Sequence, residues 1–239
     1  MMFNYDKIKH LSELEIIIYN YIIDHPNDIL NMSIQELANK THVSTTTILR
    51  FCRSLGLKGY AEFKLHYKDY LANENSVAAD FPSTDISYLE RYITLEFQEK
   101  LSEIAAVIKK SSGIVWMGFG ASAGICRYAA SYFANTGKTN LVIDDPYFHS
   151  QDSLFDNSVL IVLSVSGEID NTIRILQNLK QSQNQIISIT NYDNSTLAKL
   201  SDYVLAYYIP YSKSSEIDMT TQLPVMFIIE MLCKKIIGS

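Results

Sequence analysis

Apolar residues in the first quarter of the chain recur at helical spacing in three stretches, and a serine stands in front of each stretch. Ser12 and Ser33 are each followed three residues later by a glutamate, which is the pattern of a capping box. Ser44 precedes a longer stretch that runs to Leu55 and meets a terminating glycine at Gly56. A short capped helix, a tight turn and a second capped helix predict a helix-turn-helix unit.

The second half of the chain has a different pattern, in which short apolar runs alternate with helical stretches. The runs are rich in Ile, Val and Leu, so they are predicted to be buried strands. Their alternation with helices predicts an α/β domain with a parallel five-stranded sheet and helices on both faces, of the flavodoxin-like or Rossmann-like kind. The expected strands are Ile114–Met117, Leu141–Ile143, Val159–Val165, Gln185–Thr190 and Tyr203–Ala206, and the expected helices cover 124–136, 170–182, 195–199 and 220–236.

A stretch of Asn, Ser, Ala and Pro with little apolar periodicity separates these two patterns. It predicts an interdomain linker at residues 75–86. We therefore expect an all-α domain at residues 1–74 and an α/β domain at residues 87–239. The last helix, which includes Val225 to Ile236, is apolar on most sides and is either a subunit contact or a core helix.

Composition narrows the class of protein. Apolar residues make up 47% and charged residues 19% of the chain, which suits a globular protein with a full core. No apolar run is long enough to cross a bilayer and the N-terminus lacks a signal-peptide layout, so a cytoplasmic location and no membrane partner are expected. The three cysteines match no metal-binding spacing and are expected to be buried thiols, and neither a metal nor a cofactor is predicted.

The third predicted helix carries a polar face rich in hydroxyl and cationic side chains. Short hydroxyls in the first turn of a recognition helix can reach phosphates and base edges, and arginines add positive charge. A small oligomerisation module with a solvated polar face is the alternative, but two capped helices with a hydroxyl-rich first turn favour DNA binding. The net charge of −6 indicates that such binding depends on a local cationic cluster. The candidate DNA-binding residues are Ser44, Thr45, Thr46, Thr47, Arg50, Arg53, Lys58, Tyr60 and Lys64.

This segment resembles the recognition segment of RpiR-type transcriptional regulators. The resemblance is carried by Gln35-Glu-Leu-Ala38, by Ser44-Thr-Thr-Thr-Ile-Leu-Arg-Phe-Cys-Arg-Ser-Leu-Gly56 and by Gly59-Tyr-Ala-Glu-Phe-Lys64. It is long and specific. It implies that the partner of the first domain is a double-stranded DNA operator.

A glycine turn, Gly118-Phe-Gly120-Ala-Ser122, follows the first predicted strand, and a helical pattern begins near Ala123. A strand, a glycine turn and a helix N-terminus together can bind an anion, because unpaired first-turn N–H groups and the helix dipole favour negative charge. The same glycines also satisfy a loose dinucleotide fingerprint, with Asp144 near the ribose-binding distance. From this loop alone, a phosphate site, a dinucleotide site and a turn needed only for packing all remain open.

A second loop, Ser164-Val-Ser166-Gly167, follows the third predicted strand and leads into a helix. Its hydroxyls are expected beside the first loop, since the carboxyl ends of parallel strands share one edge of the sheet. Several hydroxyls and N–H groups from two loops suit a phosphate monoester better than a pyrophosphate bridge. The second loop therefore shifts the prediction from a dinucleotide to a phosphorylated ligand.

The pair of loops resembles the sugar-isomerase (SIS) domain, which is marked by a G-x-G-x-S loop and an S-x-S-G-x-T loop. The resemblance covers residues 90–235, and it implies a phosphorylated sugar as ligand and a homodimer or larger homo-oligomer. Ile169 stands where the family has threonine, and Thr172 is the candidate replacement for the missing hydroxyl. The candidate sugar-phosphate-binding residues are Gly118, Gly120, Ser122, Ser164, Ser166, Gly167, Thr172 and Glu216.

An aldose–ketose isomerase would need a base at the carbon next to the sugar carbonyl and an acid for ring opening. Glu216, His149 and Glu168 are the candidates, but no paired acid–base constellation stands out and no catalytic residue is predicted. We predict a transcriptional regulator of carbohydrate metabolism genes, in which a phosphorylated sugar changes the dimer packing and hence operator affinity. A sugar-phosphate isomerase with an accessory helical domain and a dinucleotide-linked redox sensor are the alternatives.

Overall fold

The structure is a computed structural model of the 239-residue chain. It describes residues 2–3, 7–8, 10–77, 89, 92–149, 156–179, 184–209, 213–214 and 217–238. The chain divides into a helical unit, Met1–Tyr88 with Tyr208–Thr221, and a sheet unit, Leu89–Tyr207 with Gln222–Ser239. The segment 208–221, which follows the last strand of the predicted second domain, groups with the helical unit.

The described part of the helical unit contains α1 Glu13–Asp24, α2 Pro26–Ile29, α3 Ile34–Thr41, α4 Thr45–Ser54 and α5 Tyr60–Val77. Side chains at helical spacing form its core, and Leu37, Ile48, Phe51 and Phe63 are fully buried. The ring centre of Phe63 lies 5.9 Å from that of Phe51 and 5.6 Å from that of Tyr67. Aromatic packing of this kind holds α5 against α4.

Capping interactions set where α3 and α4 begin. The Ser33 N–H donates to the Glu36 carboxylate at 2.7 Å, and the Glu36 N–H donates back to the Ser33 hydroxyl at 3.2 Å. The Thr47 N–H donates to the Ser44 hydroxyl at 3.1 Å at the start of α4. Between the two helices His42 takes the left-handed conformation, with φ of 53°. The predicted helix-turn-helix is present, with its caps where the sequence places them.

The last helix of the helical unit's N-terminal part, α5, reaches into the predicted linker. Helix α5 continues to Val77, past the predicted end of the first domain at residue 74. Residues 78–88 contain most of the predicted linker and lie outside the described residues. The linker therefore stays a prediction.

In the segment 208–221, β6 Lys213–Ser214 pairs antiparallel with β7 Ile217–Asp218.

The sheet unit is built on a parallel sheet, as predicted. Its strands are β1 Gly113–Met117, β2 Thr139–Ile143, β3 Val159–Ser164, β4 Gln185–Thr190 and β5 Tyr203–Ala206. They follow the order β2-β1-β3-β4-β5 in the sheet. Every residue of β1 and β3 is buried, whereas β2 lies at an edge and exposes alternate residues. The first two residues of β2 are polar and join the edge of the sheet through backbone pairing, so they leave no apolar signal in the sequence. Strand β2 therefore begins two residues before its predicted start.

Helices pack on both faces of this sheet. Val115 and Met117 of β1 share a buried cluster with Ile175 and Leu176, on one face. Trp116 alternates with them and therefore points to the other face, where its ring lies 4.9 Å from that of Phe133. The helices are α6 Leu95–Lys110, α7 Ala121–Phe133, α8 Asp170–Leu179, α9 Thr196–Leu200 and α10 Leu223–Ile237.

The last helix, α10, is mainly a core helix. It packs against α6 and α7 within the sheet unit. The core alternative therefore accounts for most of its apolar surface, and a subunit contact through α10 stays a prediction. Its buried residues are Pro224, Val225, Ile228, Ile229, Leu232, Cys233 and Ile236.

The cysteines are buried free thiols, as predicted. Burial raises the pKa of Cys52 and of Cys126 to about 12, so both stay protonated.

Among the described residues, no group of three or more His, Cys, Asp and Glu side chains is placed to hold a metal ion. Within that same part of the chain, none of the helices combines the length and the apolar character that crossing a membrane requires.

Candidate functional site

The β1–α7 loop and the β3–α8 loop lie side by side at the carboxyl edge of the sheet. Strand β1 pairs directly with β3, with Met117 in register with Val162. The chain proceeds from β1 to β2 on one side of this pair and from β3 to β4 on the other. In open α/β sheets, ligands bind in the crevice where the strand order reverses in this way. The strand order therefore brings together the two loops predicted to bind phosphate.

At Gly118 the first loop approaches both α7 and the end of β3 so closely that a side chain would be crowded. A Cβ atom on Gly118 would lie 2.9 Å from the Cys126 sulfur and 3.2 Å from the Leu163 carbonyl oxygen. Gly120, the N-cap of α7, has φ of 58°, a conformation that favours glycine. Ser122 follows in the first turn of α7 and is buried. Backbone and one hydroxyl thus form this side of the site.

The second loop also depends on a glycine. Gly167 has φ of 69°, and a Cβ atom there would lie 2.3 Å from the Ser195 hydroxyl oxygen. The Gly167 N–H donates to the Ser164 hydroxyl and the Glu168 N–H donates to the Ser166 hydroxyl, both at 3.2 Å. Two backbone N–H groups that the sequence suggested for an anion are therefore already bonded within the loop.

The same two bonds leave the serine hydroxyl protons available. Ser164 and Ser166 accept an N–H each, and no hydrogen bond among the described residues uses their own protons. A hydroxyl that accepts one hydrogen bond can still donate another. The second loop therefore offers hydroxyl donors to a phosphate. Ser164 is buried and Ser166 is half-buried.

Bonds to β4 and α9 fix the second loop. The Asn191 N–H donates to the Val165 carbonyl at 3.0 Å, and the Leu197 N–H donates to the Gly167 carbonyl at 2.9 Å. The Glu168 carboxylate accepts the Thr196 N–H at 2.8 Å, at the start of α9. Glu168, a candidate general base in the isomerase alternative, is therefore engaged in fastening the loop.

Thr172 and Ile169 occupy different environments. Thr172 lies in the first turn of α8, on the face that carries Ile175 and Leu176, and it is 1% exposed. Its hydroxyl has no hydrogen-bond partner among the described residues. Ile169 precedes α8 and is 43% exposed. Thr172 thus brings a hydroxyl to the buried side of the helix start rather than to the surface position of Ile169. Glu216 lies outside the described residues.

Asp144, the ribose-binding candidate of the dinucleotide alternative, already has a partner. It follows β2 and forms an ion pair with Arg127 of α7. A ribose hydroxyl would have to compete with the guanidinium for this carboxylate, and charge-assisted bonds are the stronger ones. This contact disfavours the dinucleotide alternative.

In the helical unit, the candidate DNA-binding residues fall into an exposed set and an anchored set. Thr46, Arg53 and Lys58 are exposed, and Thr46 and Arg53 lie on the solvent side of α4. The Ser44 hydroxyl is bonded to the Thr47 hydroxyl at 2.9 Å as well as to the Thr47 N–H. Ser44 and Thr47 therefore shape the start of α4, with Thr45 half-buried between them.

Arg50, Tyr60 and Lys64 belong to the anchored set. The Tyr60 hydroxyl and the Lys64 ammonium both donate to the Met32 carbonyl at 3.2 Å. Burial, together with the nearby Cys52 and Glu36, raises the pKa of Tyr60 to about 12. The Arg50 guanidinium pairs at 3.3 Å with the carboxylate of Glu15. Tyr60 and Lys64 therefore help to hold the unit together internally, whereas Arg50 pairs with Glu15 while 55% of its side chain stays exposed.

Glu15 is a residue whose role the sequence pattern missed. The capping box accounts for one of its bonds, from the Ser12 N–H at 2.8 Å. Its partners on α4 are about 35 residues away in the chain, and helical periodicity carries no signal for such a contact. A glutamate at a helix start is expected at the surface, yet Glu15 is 3% exposed.

Comparisons with known proteins match this two-part organisation. The model of the rpiR-family helix-turn-helix domain matches residues 5–74. The SIS domain model matches residues 107–232, and this match alone covers more than half of the chain. The chain belongs to the RpiR family. Both predicted resemblances are confirmed, and the RpiR helix-turn-helix lies in the helical unit while the SIS domain lies in the sheet unit.

Relatives of this RpiR-family chain match it over nearly its whole length. An uncharacterised HTH-type transcriptional regulator of Haemophilus influenzae is 25% identical over 242 residues, which cover 93% of this chain and 84% of that protein. The HTH-type transcriptional regulator HexR of Escherichia coli K12 is 23% identical over 243 residues, 95% of this chain and 83% of HexR. The NanR protein of Vibrio vulnificus, solved in complex with ManNAc-6P, matches 98% of this chain and 89% of its own at 21% identity and a TM-score of 0.58.

Proposed function

We propose that this chain is a sequence-specific DNA-binding transcriptional regulator of carbohydrate metabolism genes, and that a phosphorylated sugar controls its operator affinity. The observation that carries the proposal is the presence in one chain of a helix-turn-helix with an exposed recognition-helix start and a SIS domain with two hydroxyl-bearing loops. Two proteins that match nearly the whole chain support it: HexR, an HTH-type transcriptional regulator, and the NanR protein, solved in complex with ManNAc-6P.

On the DNA side, the exposed side chains of α4 and the following turn are the proposed direct contacts. Thr46 would reach base edges or phosphates from the first turn, and Arg53 and Lys58 would pair with phosphates. Because the whole chain is acidic, these contacts are local, and a homodimer would double them. Operator affinity is then expected to fall steeply as salt rises.

On the ligand side, Ser122 at the start of α7 and Ser164 and Ser166 in the second loop are the proposed phosphate donors. The hydroxyl of Thr172 is a further donor from the first turn of α8. The sugar ring would lie outside the carboxyl ends of β1 and β3. A ligand bound there alters operator affinity only if it binds the DNA-competent and DNA-incompetent states differently.

Fluorescence anisotropy of the full chain on labelled DNA from its own upstream region tests this function. Binding is measured at several salt concentrations, and a panel of sugar phosphates is then added to the bound complex. We expect salt-sensitive, sequence-specific binding that one sugar phosphate strengthens or weakens. Specific binding that no sugar phosphate changes would overturn the ligand part, and no specific binding would overturn the whole proposal.

We also propose that the SIS domain senses its ligand without converting it. The support is the Glu168 carboxylate, one oxygen of which accepts a backbone N–H of α9 at 2.8 Å. The isomerase alternative would then depend on Glu216 or His149, and Glu216 is tested first. An aldose phosphate is incubated with the wild type and with Glu216→Gln, and ketose formation is followed. Turnover by the wild type that Glu216→Gln abolishes would establish the isomerase instead.

A further inference from the structure

The carboxylate of Glu15 joins helix α1 to the recognition helix α4. One oxygen, Oε2, accepts the Ser12 N–H at 2.8 Å and the Ser12 hydroxyl at 2.7 Å, at the start of α1. The other, Oε1, accepts the Ser54 hydroxyl at 2.9 Å and the Arg50 Nε–H at 3.3 Å, from α4. Each oxygen thus serves one helix. The Arg50 guanidinium also donates to the Ser12 hydroxyl at 3.3 Å.

This cluster of Ser12, Glu15, Arg50 and Ser54 lies at one flank of α4. The core of the unit holds α4 through Ile48 and Phe51. Arg50 and Ser54 are four residues apart and therefore lie on the same side of the helix. Arg50 is exposed and, by the same spacing, shares a face with Thr46 and Arg53. Hydrogen bonds at the flank fix the rotation of α4 about its own axis, because hydrogen bonds are directional. Apolar packing specifies this rotation less sharply, because the hydrophobic effect is not directional.

We propose that Glu15 is a positioning residue for DNA recognition, which acts by fixing the rotation of α4 through Arg50 and Ser54. Arg50 then serves recognition by orienting Thr46 and Arg53. Neither Glu15 nor Arg50 needs to touch DNA for this role. The inference rests on the proposed DNA-binding function, and it replaces the phosphate contact that the sequence suggested for Arg50.

A phosphate contact and a positioning role for Arg50 predict different effects of its loss on DNA binding. An arginine that pairs with a phosphate strengthens binding to all sequences alike and adds about one to the slope of log affinity against log salt. A group that orients the helix changes base contacts, so its loss lowers the preference for the operator over random DNA. Loss of folded protein would lower the active fraction for both DNAs equally and leave that preference unchanged.

The experiment measures anisotropy of the full-length chain on two duplexes of equal length at several salt concentrations. One duplex is selected from a random pool by the wild type, and the other is an unselected sequence. The variants are Glu15→Gln, Arg50→Gln, the double variant, and Arg53→Gln as the phosphate-contact comparison. Glu13→Gln is the matched control, because it makes the same charge change at an exposed position of the same helical turn.

We expect Glu15→Gln and Arg50→Gln each to lower the ratio of selected to random affinity about tenfold or more, with the salt slope unchanged. The double variant is expected to lose no more than either single one, because both remove the same link. Arg53→Gln is expected to weaken both duplexes alike and to reduce the salt slope by about one. Glu13→Gln is expected to keep the wild-type ratio.

The inference is overturned if Glu15→Gln keeps the wild-type ratio of selected to random affinity. It is also overturned if Arg50→Gln weakens binding to both duplexes alike and reduces the salt slope, as expected for Arg53→Gln. If Glu15→Gln fails to fold by circular dichroism, Ser54→Ala replaces it, since this change removes one hydroxyl donor from α4. A lowered ratio in Ser54→Ala supports the inference, and an unchanged ratio overturns it. A wild type without preference for any selected duplex would instead overturn the proposed function.

Discussion

The two units of this chain build their candidate anion-binding surfaces in different ways. In the sheet unit, close backbone approach forms the site, and Gly118 and Gly167 are positions where a Cβ atom does not fit. In the helical unit, side chains form the surface, and an ion pair between the buried Glu15 and Arg50 holds it. The first kind of site depends on space and the second on charge. Substitutions that add atoms should therefore disturb the sheet unit, and substitutions that remove charge should disturb the helical unit.

The largest effect is expected from Gly167→Ala, which tests the dependence of the sheet unit on space. The new Cβ would lie 2.3 Å from the Ser195 hydroxyl oxygen in a left-handed backbone conformation. Strain and overpacking together should destabilise the unit by about 2–5 kcal/mol. Trp116, the one tryptophan of the chain, is buried in β1, so its fluorescence during urea unfolding reports on this unit.

Gly124→Ala is the matched control for that measurement. Gly124 lies within α7, and a Cβ atom added there would meet no atom within 4 Å apart from its own helix backbone and chain neighbours. Alanine at this position should stabilise the unit by roughly 0.5–1 kcal/mol. Equal stability of the two variants would refute the claim that close approach defines the second loop.

A smaller effect is expected from Ser166→Ala, which keeps the backbone and removes one hydroxyl donor. Loss of a hydrogen bond to a charged phosphate should weaken binding by about 1.5–3 kcal/mol, roughly 10- to 150-fold. The probe is the sugar phosphate that raises the wild-type melting temperature most. Ser131→Ala, at an exposed position of α7, is the control. Unchanged affinity in Ser166→Ala would remove this residue from the site.

Thr172→Val should have opposite effects on stability and on ligand binding. The Thr172 hydroxyl is buried with no partner among the described residues, so its removal should stabilise the protein alone by about 1 kcal/mol. If the hydroxyl donates to the phosphate, the same change lowers affinity for the sugar phosphate. Urea unfolding and calorimetric titration measure the two effects. Stabilisation with unchanged affinity would show that Thr172 is not a ligand contact.

The smallest effect concerns the dependence of the helical unit on charge. Burial raises the pKa of Glu15, but hydrogen bonds from Ser12 and Ser54 and the charge of Arg50 outweigh it and lower the pKa below its ordinary value. A carboxylate of this kind contributes stability above its unfolded pKa of about 4.3, and the contribution is lost as pH falls through the lower folded value.

Urea unfolding followed by far-UV circular dichroism between about pH 6 and pH 3 checks this contribution, since that range spans the unfolded pKa of a glutamate. The wild type should lose stability more steeply than Glu15→Gln below about pH 4.3. The lowered pKa of Glu36 contributes in both proteins and cancels in the comparison. Parallel pH profiles would show that the Glu15 charge does not stabilise the helical unit.

Much of the fold could be predicted because its signals are local. Capping boxes lie within four residues, and the strands of the sheet are short apolar runs, so both can be seen in one stretch of chain. The two glycine loops were predicted for the same reason. The edge strand β2 was placed less well, because its first residues pair through backbone and are polar. The structure does not describe Glu216 or residues 78–88, and predictions there stay untested.

The sequence by itself determined the helix-turn-helix, the alternation of strands and helices and the residues of the two loops, because each depends on neighbours along the chain. Only the tertiary structure decided that β1 pairs with β3, which places the loops together. It alone showed that Arg50 lies against Glu15, a contact between residues 35 positions apart. Periodicity indicates which side of an element is buried, but the partner that covers a side chain depends on how the elements pack in space.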